Sequence, residues 1–188
     1  GAVLPDAGLI EVAGRPVAVR DPVAAREAGI AMIHQELALV PALSARENIF
    51  LGQERTRGGF VRAGEEWAIA GDLLRRLGVA VDPDLPCRRL SLAQQQAVEI
   101  AKALAVDARI IILDEPTATL TPPEVEGLFS IIRDLRRQGM GIVYVSHRLE
   151  EIEAIADRIT VMRDGRHVAT RPAAELSRRD LIELMVGR

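Results

Sequence analysis

Apolar positions along the chain change their spacing from segment to segment, and each spacing predicts an element. Residues 8–20, GLIEVAGRPVAVR, alternate apolar and polar around Gly14 and Pro16, the pattern of a β-hairpin. Residues 30–34 form a short apolar run, a buried strand that ends at His34-Gln35-Glu36. The stretch 44–106 reads as mostly helical, with Leu73, Leu74 and Leu77 at helical spacing and Asp82-Pro83-Asp84-Leu85-Pro86 as a break. Within it, Ser91 and Gln94 have the spacing of a capping box and open a helix along SLAQQQAVEIAKAL, with Val98, Ala101 and Ala105 on one side. From Arg109 the rhythm changes to a continuous apolar strand, RIIILD, then a turn, then a helix. Thr121 is its N-cap, Pro122 its first residue and Glu124 stands three after the cap. Val125, Leu128, Ile132 and Leu135 give that helix one face, and Gly139 stops it. Residues 141–146, GIVYVS, predict a second buried strand, followed by a short helix with Leu149, Ile152 and Ile155 inward. RITVMRDGRHVAT is a hairpin turned at Asp164-Gly165, and Ser177 to Met185 is a last amphipathic helix.

Strands that are apolar throughout and alternate with helices predict an α/β fold, a mainly parallel sheet covered by helices, with antiparallel hairpins beside it. Ligands of such sheets sit beyond the carboxyl ends of the strands. Three polar signals fall at such ends: Gln35, Asp114-Glu115 and His147.

Composition narrows the partners. A length of 188 residues suits one domain with room for a subdomain, and 48% hydrophobic residues can build a core. Aromatics at 3% argue against a base-stacking surface, and a net charge of −3 gives no basic footprint, so no nucleic acid is expected. Lys102 is the only lysine, and the remaining positive charge is arginine. The single cysteine, Cys87, excludes an internal disulfide framework, fits a reducing compartment and has no metal-ligand pattern around it. No apolar stretch approaches the ~18 residues of a membrane span, and Gly1 to Ile10 lacks the pattern of a secretory leader.

The chemistry concentrates at the strand ends. An aspartate ending a strand can hold Mg²⁺ beside a nucleotide's phosphates. The glutamate after it faces another way and can polarise an attacking water. For an arbitrary Asp-Glu pair a solvated acidic turn is the commoner outcome; four apolar residues followed by Asp-Glu-Pro-Thr favour the site. The helix starting at Ser91 offers free N–H groups and a hydroxyl to an anion, or is an ordinary capped helix. His147 either contacts a phosphate or the reacting water, or is a satisfied histidine at a strand–helix corner. Gln35 can complete a Mg²⁺ shell or stands in an exposed loop. His167 reads as surface.

Together HQE at 34–36, LSLAQQQ at 90–96, IIILDEPTATLT at 110–121 and VSHRLEE at 145–151 resemble the glutamine loop, signature, Walker B with D-loop, and switch histidine of ATP-binding cassette (ABC) ATPases. GIAMIHQELALVPALSARENIFLGQE, the triple glutamine before VEIAKAL, and the closing LMVGR are similar to the first cassette of tandem-cassette monosaccharide importers of the ribose, galactose, xylose and arabinose group. The resemblance implies a P-loop NTPase core using ATP and Mg²⁺. Asp114 and Gln35 would attend the metal, Glu115 would be the catalytic base, and His147 would contact the γ-phosphate. Ser91, Ala93 and Gln94 would reach the nucleotide of the opposite cassette, and Thr119, Leu120 and Thr121 would form the D-loop. It implies a partial ATPase core at 1–43, a helical signature subdomain at 44–106, the rest of the core at 107–170, and a C-terminal helix at 171–188 leading toward a second cassette. Implied partners are that second cassette, transmembrane permease subunits and, indirectly, a periplasmic or lipid-anchored sugar-binding protein. The implied location is peripheral, on the cytoplasmic face of a bacterial inner membrane.

The chain departs from the family pattern in two places. The signature usually reads L-S-G-G-Q, and Leu92-Ala93 stand where both glycines do. No G-x-x-x-x-G-K-[ST] phosphate loop occurs in the chain. The expectations are that this loop lies upstream of Gly1, that the chain alone does not bind or hydrolyse MgATP appreciably, and that it exposes apolar sheet surface. Two alternatives stand beside the importer: a non-transport cassette ATPase, for which a basic surface or long coiled coil is expected, and a catalytically silent interaction module.

Overall fold

A computed structural model of the chain describes residues 3–187; Gly1, in the first expected segment, and Arg188, in the closing LMVGR, lie outside them. The chain divides into two compact units, residues 1–145 and 146–188.

In the first unit, β1 (Glu11–Val12) and β2 (Arg15–Pro16) form the predicted hairpin, shortened to two residues per strand. Its turn is Ala13-Gly14, both left-handed at φ 52° and 72°, which suits the twist of antiparallel strands. Helix α1 (Pro22–Glu27) was not foreseen; Asp21 caps it by accepting from the Ala24 N–H at 2.8 Å. Strand β3 (Ile30–Ile33) follows. The helical stretch contains α2 (Ala45–Phe50), α3 (Ala63–Arg76) and α4 (Leu92–Ala105). Between α2 and α3 lies a second unforeseen hairpin, β4 (Thr56–Arg57) with β5 (Phe60–Val61), around Gly58-Gly59. Strand β6 (Ile110–Asp114), helix α5 (Pro122–Arg137) and strand β7 (Gly141–Val145) complete this unit.

The strands β3, β6 and β7 form one parallel sheet with β6 in the centre. Its two faces differ. Ile33, Ile111 and Leu113 are at most 2% exposed, each contributing roughly 1.5–3 kcal/mol of burial. Helix α5 lies over this face, with Phe129 meeting Tyr144 edge-on at a centroid distance of 6.3 Å. Phe129, Leu128, Ile132 and Leu135 are buried, whereas Val125 is only half-buried, so the inward stripe of α5 is shifted from the predicted one. On the opposite face Met32, Val143 and Val145 are 47%, 48% and 45% exposed. Strand β7, expected to be buried, is instead an edge strand: Ile142 and Tyr144 on the α5 face are half-buried, and Val143 and Val145 on the other face are exposed.

The second unit consists of α6 (Leu149–Ile155), β8 (Arg158–Arg163), β9 (Arg166–Pro172) and α7 (Arg178–Val186). The β8–β9 hairpin turns at Asp164-Gly165 as predicted, with both residues left-handed. Ile159, Val161 and Leu181 form its core, with Leu149, Ile152 and Leu176 packed against them. The Arg163 guanidinium donates to the Leu184 carbonyl at 3.0 Å, satisfying one of the last carbonyls of α7. No helix among the described residues is long and apolar enough to cross a membrane.

Candidate functional site

The central strand delivers the two carboxylates. Asp114 is the last residue of β6, half-buried and level with Val145 of β7. By the alternation of the strand it belongs to the uncovered face, with Ile112 and Ile110. Glu115 leaves the pleat. Its φ is +44°, a left-handed value uncommon for a residue with a side chain, while its N–H still donates to the Val145 carbonyl at 3.0 Å. The backbone therefore turns between the two acids, and their side chains leave the strand end in different directions. Buried Pro116 and Thr117 anchor the turn, which closes through Ala118 N–H to the Glu115 carbonyl at 3.3 Å and Leu120 N–H to the Thr117 carbonyl at 3.1 Å. Thr119 is exposed, Leu120 half-buried and Thr121 exposed at the head of α5. The Thr121 N–H and hydroxyl donate to Glu124 at 2.8 and 2.7 Å, and these bonds hold the Glu124 carboxyl below its usual range.

Gln35 is exposed in the bend that follows β3, the neighbour of β6 in the sheet. The fold thus brings the Gln35 bend and the Asp114-Glu115 pair to the ends of adjacent strands. Ser91, Ala93 and Gln94 belong to a different element, the first turn of α4. Ser91 is its N-cap: the Gln94 N–H donates to Ser91 Oγ at 3.3 Å, and the Ser91 N–H to Gln94 Oε1 at 2.9 Å. The Gln95 amide donates to the Leu90 carbonyl at 3.0 Å. Two of the three consecutive glutamines therefore hold the helix start in shape. Gln96 is buried, and its Nε2 has no hydrogen-bond partner.

His147 lies in the second unit, exposed, in a corner braced on both sides. The Ser146 hydroxyl donates to Glu151 at 2.8 Å, and the Arg148 N–H donates to Ser146 Oγ at 3.0 Å. Buried Glu151 also pairs with Arg148 at 3.0 Å. His167 is on the surface, as expected, beside Thr170.

Several buried polar residues were not singled out from the sequence, among them Glu66, Asn48 and Glu99. Asn48 is fully buried and bridges the segment 40–44 to Cys87. Glu99, on α4, is 7% exposed, and burial raises its carboxyl above the usual range against the attraction of Lys102. The only sign of Asn48 or Glu99 was a polar residue inside an apolar stretch, ENIF and VEIAKAL.

Among the described residues no group of three or more His, Cys, Asp or Glu could hold a metal ion. Asp114 and Gln35 offer two oxygen donors from neighbouring strand ends. That donor set fits Mg²⁺, which keeps most of its shell as water and phosphate oxygen, better than a metal that needs a protein cage.

The fold is that of solved ATP-binding cassettes. One, titled as an ATP-binding cassette of an ABC transporter, aligns with a TM-score of 0.84 over 100% of this chain and 78% of its own, at 22% identity. Its ADP conformation gives 0.79 over 99% and 79%, at 21% identity. The ABC transporter family matches residues 1–118, and the chain belongs to that family. A ribose import ATP-binding protein of Rubrobacter xylanophilus is 55% identical over 98% of this chain and 37% of its own length. A putative ribose/galactose/methyl galactoside import ATP-binding protein of Burkholderia cenocepacia is 50% identical over 97% of this chain and 36% of its own. The chain spans a little over a third of the length of these relatives.

Proposed function

We propose that this chain is part of the ATP-hydrolysing subunit of a monosaccharide importer, working against a second cassette and transmembrane permease subunits at the cytoplasmic face of a bacterial membrane. A sugar-binding protein outside the membrane would supply the cargo. The observation that carries the reading is 55% identity across 98% of the chain to a ribose import ATP-binding protein. The arrangement at the end of β6 supports it: one carboxylate on the strand, the next turned away from it.

Asp114, with Gln35, would hold Mg²⁺, which when bound neutralises phosphate charge. Glu115 accepts the proton of the attacking water, from a position set by its left-handed backbone. His147 contacts the γ-phosphate. Ser91, Ala93 and Gln94 present the first turn of α4 to the nucleotide held by the opposite cassette, and Thr119, Leu120 and Thr121 line the contact between cassettes. Within this chain no glycine-rich loop with a lysine faces these groups. Titration of the 188-residue chain with MgATP is therefore expected to show no micromolar binding.

The test is Glu115→Gln in the gene that encodes this chain. With the protein level unchanged, uptake of labelled ribose or another monosaccharide of the group should fall at least a hundredfold, as loss of a positioned base predicts. Unchanged uptake of ribose, galactose, xylose and arabinose would refute the reading.

A further inference from the structure

Glu151 is a buried ionisable group to which the proposed reaction gives no task. It stands in the first turn of α6 and is 2% exposed. The other glutamates of that helix, Glu150 and Glu153, are on the surface and pair with Arg178 at the head of α7. Glu151 instead serves the corner that precedes the helix. Its Oε2 accepts from the Ser146 hydroxyl at 2.8 Å, and its Oε1 pairs with the Arg148 guanidinium at 3.0 Å. Its own N–H donates to the Arg148 carbonyl at 3.1 Å, and the Arg148 N–H donates to Ser146 Oγ at 3.0 Å. These bonds close a ring, and the residue between Ser146 and Arg148 is His147. Helix α6 is itself held, because Leu149 and Ile152 pack against Ile159, Val161 and Leu181. A buried carboxylate is costly unless it is paired and hydrogen-bonded, and the two neighbours of His147 supply both kinds of partner.

We infer that Glu151 is a positioning residue for His147: it fixes the backbone of residues 146–148 to a packed helix, so that the exposed imidazole stands on one rigid base. The inference rests on the proposed function only in taking His147 as a phosphate-contacting group. A corner exposed at His147 and Arg148 has few apolar contacts to hold it. A hydroxyl bonds a carboxylate more strongly than a neutral acceptor, which suits the task of keeping that corner still. The Ser146 hydroxyl is used twice, as donor to Glu151 and as acceptor from Arg148, so removing either side chain opens the ring. An acid in the first turn also complements the helix dipole. That role is indifferent to Ser146.

Amide hydrogen exchange on the full 188-residue chain, without nucleotide, reads the ring directly. In Glu151→Ala the Arg148 amide should exchange about tenfold faster, as the loss of one hydrogen bond to a charged group predicts, while β8 and β9 stay within twofold. Glu151→Gln, which keeps an oxygen for Ser146, should remain within threefold of the parent. Ser146→Ala should match Glu151→Ala, and Ser146→Thr should keep the parent's protection; this pair decides the matter if Glu151→Ala does not fold. Monosaccharide uptake by the product of the whole gene reads the task. Glu151→Ala should lower it about tenfold at unchanged protein level, and no further when His147 is already alanine, because the two residues act as one unit. Unchanged exchange at Arg148 would overturn the inference. So would an equal rise throughout residues 146–188, a glutamine variant as unprotected as alanine, or losses of uptake that simply add. His147→Ala with unaltered uptake would instead refute the phosphate-contacting role of His147, and exchange alone would then decide whether Glu151 holds the corner.

Discussion

Replacing Asn48 by alanine should cost the chain about 3 kcal/mol of stability. Asn48 is fully buried. Its Oδ1 accepts from the Val40 N–H at 2.7 Å, and its Nδ2 faces the carbonyls of Val40 at 3.0 Å, Ser44 at 3.0 Å and Leu43 at 3.3 Å, with Cys87 Sγ at 3.2 Å. An amide has two N–H donors, so about three of these bonds count at once. Each is worth about 1 kcal/mol net, and the groups left behind cannot turn to water, which keeps the loss at the upper end of that range. Alanine leaves a small cavity as well, but also removes a polar side chain from the interior, and these smaller effects oppose each other. Aspartate should be worse than alanine, because it replaces the donor facing three carbonyls with a negative oxygen. Urea denaturation followed by circular dichroism measures both, through the shift in midpoint at unchanged slope. A loss below 1 kcal/mol for Asn48→Ala, or an aspartate variant as stable as the parent, would refute the reasoning. The same substitution should free Cys87, whose thiol burial holds above its usual range and Asn48 draws the other way.

Glu99→Gln should stabilise the chain at neutral pH. Burial raises the folded carboxyl's pKa, so the folded state binds its proton more tightly than the unfolded state. Glu99 therefore contributes most below the unfolded value, and that contribution is lost as pH rises through the window up to the raised folded value. Urea midpoints at pH 4 and pH 7.5 should show parent and variant alike at the lower pH and the variant ahead at the higher; an equal gap at both would contradict this. Val143→Thr with Val145→Thr should reduce light scattering of concentrated protein. It should cost under ~1 kcal/mol per site, because both side chains are about half exposed and threonine keeps the β-branch. Scattering unchanged at equal concentration would show that this face of the sheet is not where molecules meet.

What could be read from the sequence was whatever is encoded locally. The strand ending at Asp114, the cap at Thr121, the Asp164-Gly165 turn and the helix from Ser177 all carry their signal within a few residues. The hairpin at 56–61 has two-residue strands around Gly58-Gly59, too short for alternation to register. Helix α1 has six residues and no buried position, so periodicity had nothing to mark. That apolar sheet surface would be exposed was expected from the absent phosphate loop, but that the exposed strand would be β7 was illegible for another reason. An apolar run looks the same whether one or both faces are covered, and which one holds depends on what the rest of the fold places there. At the candidate site, the end of β6 was legible because a charge terminates an apolar strand. The Gln94 cap was legible from its spacing to Ser91, whereas the bond from Gln95 to the Leu90 carbonyl and the burial of Glu99 appear only in the folded structure.

Four helices begin with a reciprocal bond between the cap and the residue three beyond it: Ser44 with Glu47, Ser91 with Gln94, Thr121 with Glu124 and Ser177 with Asp180. These bonds need no tertiary partner, so they bias the helix starts in the chain before it is compact. The sheet is the opposite case. Its pairing of Ile30 with Ile110 must close a loop that contains α2, α3 and α4, and such closure is slow because its entropy is lost before the contacts form. Folding should therefore run from helix starts to sheet, with the joining of β3 to β6 late in the sequence of events. The end of β3 carries Gln35 and the end of β6 carries Asp114, so the two halves of the candidate site would meet for the first time in that late step.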